Sequence, residues 1–281
     1  MSQKKYVIIH ADDAGLCWSE NKATQVGMTK GSISSTSLMV PCPWFYDMAQ
    51  FCLAHPELDY GIHLTLTGEW KTYPFKSITA KEKIPSIVDR HGHLPMKRAA
   101  IRDHAKIEEV RLELRNQIDY ALSLGLQPSH LDSHMYTLGL RQDLIDLYID
   151  LGKEYQLPII LSKTLIDYTG EDSAAFKVNE NDCIETLFMA SYTEFEGMGL
   201  AAYYEMALQE VQPGLSLFLI HPALLNEEIE QITLDHPNFG AVWRSQDAAF
   251  FSSKKCKELV AQNNIELVHF KSPEVLSLLG A

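Results

Sequence analysis

Four short stretches of the chain carry side chains that hold metal ions or move protons. The first is Asp12-Asp13, two neighbouring carboxylates that follow the apolar run Tyr6-Val7-Ile8-Ile9 and precede Ala14-Gly15. The second is His63, on a segment where Ile62, Leu64 and Leu66 alternate with His63, Thr65 and Thr67. The third is Pro128-Ser129-His130-Leu131-Asp132-Ser133-His134, and the fourth is His221, which closes the run Leu215-Ser216-Leu217-Phe218-Leu219-Ile220. Adjacent carboxylates at the end of a buried strand repel each other and resist desolvation unless a cation lies beside them. A helix cap, the ordinary alternative for an aspartate ahead of a helix starting near Ser19, uses one carboxylate, and here there are two. Histidines four apart share a face on a helix, and on a strand they do so together with Asp132. With His63 and the paired aspartates they make a carboxylate-plus-two-histidine set. Such a set leaves positions open for water and substrate, which suits a catalytic ion better than a structural one.

The elements that must position these groups are legible as an alternation of strands and helices. Strands are expected at 6–9, 33–40, 60–67, 128–134, 157–161, 215–222 and 265–270. Helices are expected from Ser19 to about Thr29, over 43–55, from Ile107 to Leu122, and over 141–155, 199–211 and 246–263. Two stretches, 68–103 and 165–198, lack sustained periodicity and read as long loop insertions, the first of a length that suits a lid or binding loop. Parallel strands with helices between them, and no linker-like break, predict one α/β domain over 1–281. Roughly six or seven strands in this order suit a distorted TIM-like (β/α) barrel with fewer than eight regular units, an open doubly wound sheet being the alternative. In a barrel the strand ends converge on one face, so groups far apart in sequence meet there.

Composition narrows the partners. The 281 residues carry a formal net charge of −13 and no Lys/Arg-rich run, which argues against nucleic acid and an anionic membrane surface. No phosphate-cradling glycine motif follows the first strand. The five cysteines are scattered without a C-x-x-C pair, so neither a disulfide framework nor a thiolate zinc site is expected. The apolar run at the start is too short for a signal-peptide core, making the cytoplasm the expected location. A homodimer is compatible with the composition. Of the other histidines, His55, His91, His93, His104 and His236 fall in loops or at helix ends and are expected to be solvated or capping, and His10 is expected to pack or hydrogen-bond.

The segments Ala11-Asp12-Asp13-Ala14-Gly15, Gly61-Ile62-His63-Leu64-Thr65-Leu66-Thr67, Pro128–His134 and Ile220-His221-Pro222-Ala223 together resemble the YdjC-like carbohydrate deacetylases. That family includes chitooligosaccharide deacetylases and is distantly related to the polysaccharide deacetylases. The resemblance implies a distorted (β/α) barrel that removes acetyl groups from N-acetylated sugars or short oligosaccharides with a divalent ion, magnesium or zinc. It implies metal ligation by Asp13, His63 and His134, proton removal from water by Asp12, and protonation of the leaving amine by His221. His130 and Asp132 fit an outer, orienting layer, and Arg244 and Asp247 lie where the family has an arginine and an acid near the site. Thr65 shares the polar strand face with His63, and Trp70, Tyr73 and Phe75 are placed to form either a sugar-stacking wall or core. The chain departs from the family pattern at Ala14, where an aromatic is common, and at Met135-Tyr136, where further histidines are common. Other readings of the same residues are a different metal-dependent barrel enzyme, such as a sugar isomerase, and a carbohydrate-binding protein without turnover.

Overall fold

The structure is a computed structural model and describes residues 4–179, 183–184, 186–234 and 236–279. Among the described residues seven strands run parallel: β1 Lys5–Ala14, β2 Ser35–Leu38, β3 Tyr60–Leu64, β4 Leu131–Ser133, β5 Thr186–Phe188, β6 Gly214–Ile220 and β7 Ile265–Leu267. Around them lie α1 Trp18–Lys30, α2 Phe45–Ala54, α3 Arg98–His104, α4 Ile107–Ser123, α5 Gln142–Tyr155 and α6 Lys163–Tyr168. The remaining helices are α7 Tyr192–Gly197, α8 Leu200–Glu210, α9 Glu227–Ile232, α10 Ala241–Phe251, α11 Lys254–Gln262 and α12 Pro273–Leu278. No helix among the described residues is long and apolar enough to cross a membrane.

The strand order is β4-β3-β2-β1-β6-β5, and the sheet curls into a distorted, incompletely closed barrel. β1 is the axis of the arrangement. β6 pairs with it from Lys5 to Ala11, while on its other edge β7 takes Lys5–Val7 and β2 takes His10–Ala14. Two strands sharing one edge in sequence is how the sheet tightens at its base. Helices cover the outside with apolar faces: Ile62 and Leu64 of β3, for example, join the same core as Val110, Leu114 and Ile118 of α4. The inside is polar. His10, Ser35, Ser37, His63, His130 and Asp132 are all buried within it.

Several elements differ from the expected ones. Residues 157–161 make only a single parallel bridge, Ile159 with Leu131. Pro158 has no N–H to give a ladder, and the Tyr148 hydroxyl takes up local backbone groups by donating to the Leu131 carbonyl (2.8 Å) and accepting from the Ile160 N–H (3.1 Å). The strand on the far side of the barrel is instead β5, inside the 165–198 stretch expected to be irregular, which also contains α6 and α7. β5 is too short to reveal an alternation, and the parts of that stretch at 180–182 and 185 lie outside the described residues. The helix expected over 246–263 is two, α10 and α11, because Ser253 caps the second by accepting from the Cys256 N–H (3.1 Å). Ser19 does not cap α1. It lies inside the helix and donates to Asn226 (2.7 Å) and Glu228 (2.9 Å) of the α9 region.

The interior is close-packed enough to dictate a glycine. A Cβ on Gly61 of β3 would stand 2.5 Å from His130 Nε2 and 2.6 Å from the His130 carbonyl oxygen. Gly61→Ala should therefore lower stability by about 1–3 kcal/mol through overpacking, read as a lower urea midpoint with unchanged slope. An unchanged midpoint would mean that β3 and β4 can separate freely.

Candidate active site

Strand alternation should send Asp12 and Asp13 to opposite faces of β1. A β-bulge prevents this. Ala11 pairs with Thr36 and Ala14 with Leu38, so three steps along β1 match two along β2. The extra residue is accommodated with Asp13 in the left-handed region at φ 65°, a conformation aspartate tolerates better than most residues. Both carboxylates consequently line one cleft, together with His134, His221 and Arg244. Gly15, at φ 100°, then turns the chain away into α1.

Asp13, His63 and His134 come together at this point. Asp13 Oδ1 lies 3.1 Å from His134 Nδ1 and 3.3 Å from His63 Nε2, and the two ring nitrogens are 3.3 Å apart. Donor atoms held about 2.0–2.2 Å from one ion stand about 2.8–3.1 Å from their neighbours in an octahedral arrangement and about 3.3–3.6 Å in a tetrahedral one. The triad therefore fits a divalent ion, and the N₂O donor set suits a hard or borderline one. The rest of the interior is layered beneath it, because residues two apart on a strand share a face at successive depths. His134 is at the rim and Asp132 is one level down, where Oδ2 lies 2.7 Å from His63 Nδ1 and accepts from the Ser37 hydroxyl at 2.7 Å. His130 is stacked on Phe270 at 3.9 Å. His10 occupies the same depth as Asp132, with Nδ1 3.0 Å from Ser35 Oγ and Nε2 3.2 Å from Asp132. Two further groups of potential ligands, Asp12/His63/Asp132 and His10/His130/Asp132, occur among the described residues in this interior.

Charge compensation sets the protonation states. Burial would raise Asp13, but His134 and then Arg244 hold it well below the ordinary carboxylate range. Burial would lower His63, but Asp132 holds it well above. Burial pushes Asp12 up to about 7 against the opposing pull of His63 and of His10, whose Nε2 lies 3.3 Å from Asp12 Oδ1. Its Oδ1 has no hydrogen-bond partner, and its Oδ2 faces His221 Nε2 at 3.6 Å. Burial lowers His221 to about 3. The His221 backbone N–H donates to Asp247 Oδ2 (2.9 Å), and Tyr204 donates to Oδ1 (2.7 Å). Asp247 thus anchors the end of β6, and burial raises it to about 7.

Arg244, fully buried on α10, donates through Nη1 to Asp13 Oδ2 (2.9 Å) and to Glu20 of α1, and through Nε to the Phe239 carbonyl (2.6 Å). Its guanidinium lies 5.3 Å from the centre of the Trp70 ring. Of the two readings of the aromatics after β3, the core one fits: Trp70 and Phe75 are buried, the Tyr73 hydroxyl donates to the Leu16 carbonyl (3.0 Å), and none of the three rings lines the cleft. Thr65 is likewise buried, its hydroxyl on the His63 carbonyl (2.6 Å) and its backbone held by Gln117. His236, expected to be solvated, instead lines the cleft with its ring against Trp70. Glu20 and Glu69 were not legible from spacing. Glu20 sits in the first turn of α1 like any dipole-complementing acid, and Glu69 opens the aperiodic stretch after β3.

The family model described as YdjC-like protein matches residues 6–262. A carbohydrate deacetylase of Thermoanaerobacter pseudethanolicus is 27% identical over 266 residues, covering 95% of this chain and 98% of that protein. A chitooligosaccharide deacetylase of Yersinia enterocolitica is 29% identical over 163 residues, covering 57% of this chain and 60% of that protein. A solved structure from Enterococcus faecalis V583, described as a candidate cellobiose-phosphate cleavage protein, has a TM-score of 0.77 at 22% identity, covering 95% of this chain and 98% of its own. It shares the fold.

Removing Arg244 leaves Asp13 and Glu20 buried without their cation, so Arg244→Met should cost about 3–5 kcal/mol, and adding Glu20→Gln should recover part of the loss. Denaturant unfolding of both variants measures this; additive losses would contradict the shared pairing. Folded Asp247 keeps its proton to about pH 7, whereas an unfolded aspartate releases it near 4. The folded state then binds more protons across that window, and stability falls as pH rises through it. Asp247→Asn should be free of this fall, so between pH 5 and 7.5 stability should shift in the variant's favour by about 1–3 kcal/mol. Parallel wild-type and variant curves would refute it.

Proposed function

The chain belongs to the YdjC-like protein family, and from that premise we propose that it is a metal-dependent hydrolase that removes acetyl groups from N-acetylated sugars or short chitooligosaccharides. The observation that carries the reading is the convergence of Asp13, His63 and His134 at 3.1–3.3 Å beside a second carboxylate, Asp12, whose Oδ2 faces His221 Nε2 at 3.6 Å. The names of the relatives support the substrate class. Asp13, His63 and His134 would hold a divalent ion, magnesium or zinc. Such an ion supplies Lewis acidity, polarising an amide carbonyl and lowering the pKa of water.

The remaining work falls to the chain's own side chains. Asp12, raised to about 7, is a base of suitable strength to take a proton from water near neutral pH. His221 rests neutral in its buried position, so it must receive a proton before it can give one. Asp12 Oδ2, 3.6 Å from His221 Nε2, is the adjoining source. The pair can thus carry one proton from the side of water attack to the departing nitrogen, which leaves as an amine. Asp132 orients the His63 ring, and Arg244 fixes the Asp13 carboxylate. Leu165, Met189 and Leu219 give the cleft an apolar wall able to receive an acetyl methyl and exclude water. Its volume, about 220 Å³, is below the range of about 300–1,000 Å³ for drug-sized ligands and suits one sugar unit near the triad.

The test is acetate release from diacetylchitobiose and a panel of N-acetylated sugars, before and after chelation and on return of magnesium or zinc. Activity should vanish with chelator and return with metal; a panel without metal-dependent release overturns the proposal. Asp12→Asn should lower turnover by about 10²-fold or more with metal content intact. Asp13→Asn, which still tolerates the left-handed backbone, should lose the metal. Equal metal content in the two variants would contradict their division of labour.

A further inference from the structure

Resting on the metal site of the proposed function, we propose that Glu69 is the positioning carboxylate of His134, accepting its Nε2–H and so fixing Nδ1 as the nitrogen turned to the ion. His63 has such a partner in Asp132, at 2.7 Å from the nitrogen that faces away from the triad. The corresponding atom of His134, Nε2, is buried and has no hydrogen-bond partner. The nearby carboxylate is Glu69, with Oε2 at 3.7 Å and a side chain nine-tenths buried. A small adjustment of that side chain closes the contact. A neutral histidine has one N–H, so an acceptor on one nitrogen decides which nitrogen is free to ligate.

The backbone that presents Glu69 supports a built contact rather than an incidental one. Glu69 is in the left-handed region at φ 53°, with no glycine to ease it, and the Trp70 N–H donates across it to the Gly68 carbonyl, closing a three-residue turn. The turn is anchored on both sides. The Gly68 N–H donates to the Pro95 carbonyl (2.8 Å), and Trp70 and Phe75 are buried, Phe75 with its ring 6.0 Å from that of His134. The aperiodic stretch after β3 thereby brings an acid onto a histidine that follows β4.

Titration calorimetry of metal-stripped protein with zinc and with cobalt chloride tests this on wild type, Glu69→Ala, Glu69→Gln and Glu69→Gly. Glu69→Ala should weaken metal binding about 10–100-fold. Glu69→Gln should weaken it less, because its amide oxygen still accepts the Nε2–H. Glu69→Gly should bind as weakly as Glu69→Ala, yet unfold without metal at a temperature equal to or above the wild type, which separates positioning from misfolding. The His134 ring ¹⁵N shifts should report the Nε2–H tautomer in the loaded wild type and a mixture in Glu69→Ala. Unchanged affinity in Glu69→Ala beside a wild type that binds overturns this inference alone. A wild type that binds neither ion overturns the metal reading beneath it.

Discussion

The extra residue in β1 is the constraint on which the site depends. A regular strand cannot deliver two successive side chains to one cavity, since its pleat sends them apart. Inserting one residue between the Thr36 and Leu38 registers, with Asp13 at φ 65°, brings Asp12 and Asp13 into the same cleft. The two carboxylates then acquire different electrostatic surroundings. Asp13 is bracketed by His134 and the permanent charge of Arg244, whereas the groups opposite Asp12 are histidines, His10 at 3.3 Å and His221 at 3.6 Å. Environment, rather than residue type, separates the carboxylate suited to holding a cation from the one suited to holding a proton.

Such a site obliges the barrel to have a polar interior. Eight-stranded parallel barrels are ordinarily filled with branched apolar side chains, but here the inner layers hold His10, Ser35, Ser37, Asp132 and His130. Most of their polar atoms find one another: Ser35 donates to Asp59 (2.6 Å) and Ser37 to Asp132 (2.7 Å). Buried polar groups are tolerated when they are satisfied as a network. The exceptions, Asp12 Oδ1, Asp132 Oδ1, His130 Nε2 and His134 Nε2, cluster in this same interior.

The parts of this arrangement that were legible in the sequence are those that repeat or bunch. The Asp12-Asp13 doublet, the His63 alternation and the even spacing of His130, Asp132 and His134 each carry a local signal. The barrel's parallel order was legible from the alternation of elements. What stayed hidden depends on tertiary contacts with no periodic trace. Glu20 resembles a surface acid until Arg244 is placed over it, and Glu69 belongs to a stretch without pattern. Trp70 offers the same apolar ring to a sugar or to an arginine, and only its burial decides between them. The strand at β5 and the break at Ser253 were missed because three residues are too few to show a period and because a serine cap can interrupt an amphipathic run without altering its spacing.

The division of one β1 edge between β7 and β2 also bears on how the chain is made. On the ribosome β1 is synthesised before β6, which pairs with it from Lys5 to Ala11, and before β7, which completes its base. Arg244, the cation that permits Asp13 and Glu20 to be buried, belongs to the same late portion. Until that portion emerges, the central strand has open edges and the acids have reason to remain in water. Nascent chains with such long-range pairing fold slowly and expose strand edges to neighbours. The bulged strand is thus the first part of the site to be translated and among the last to be enclosed.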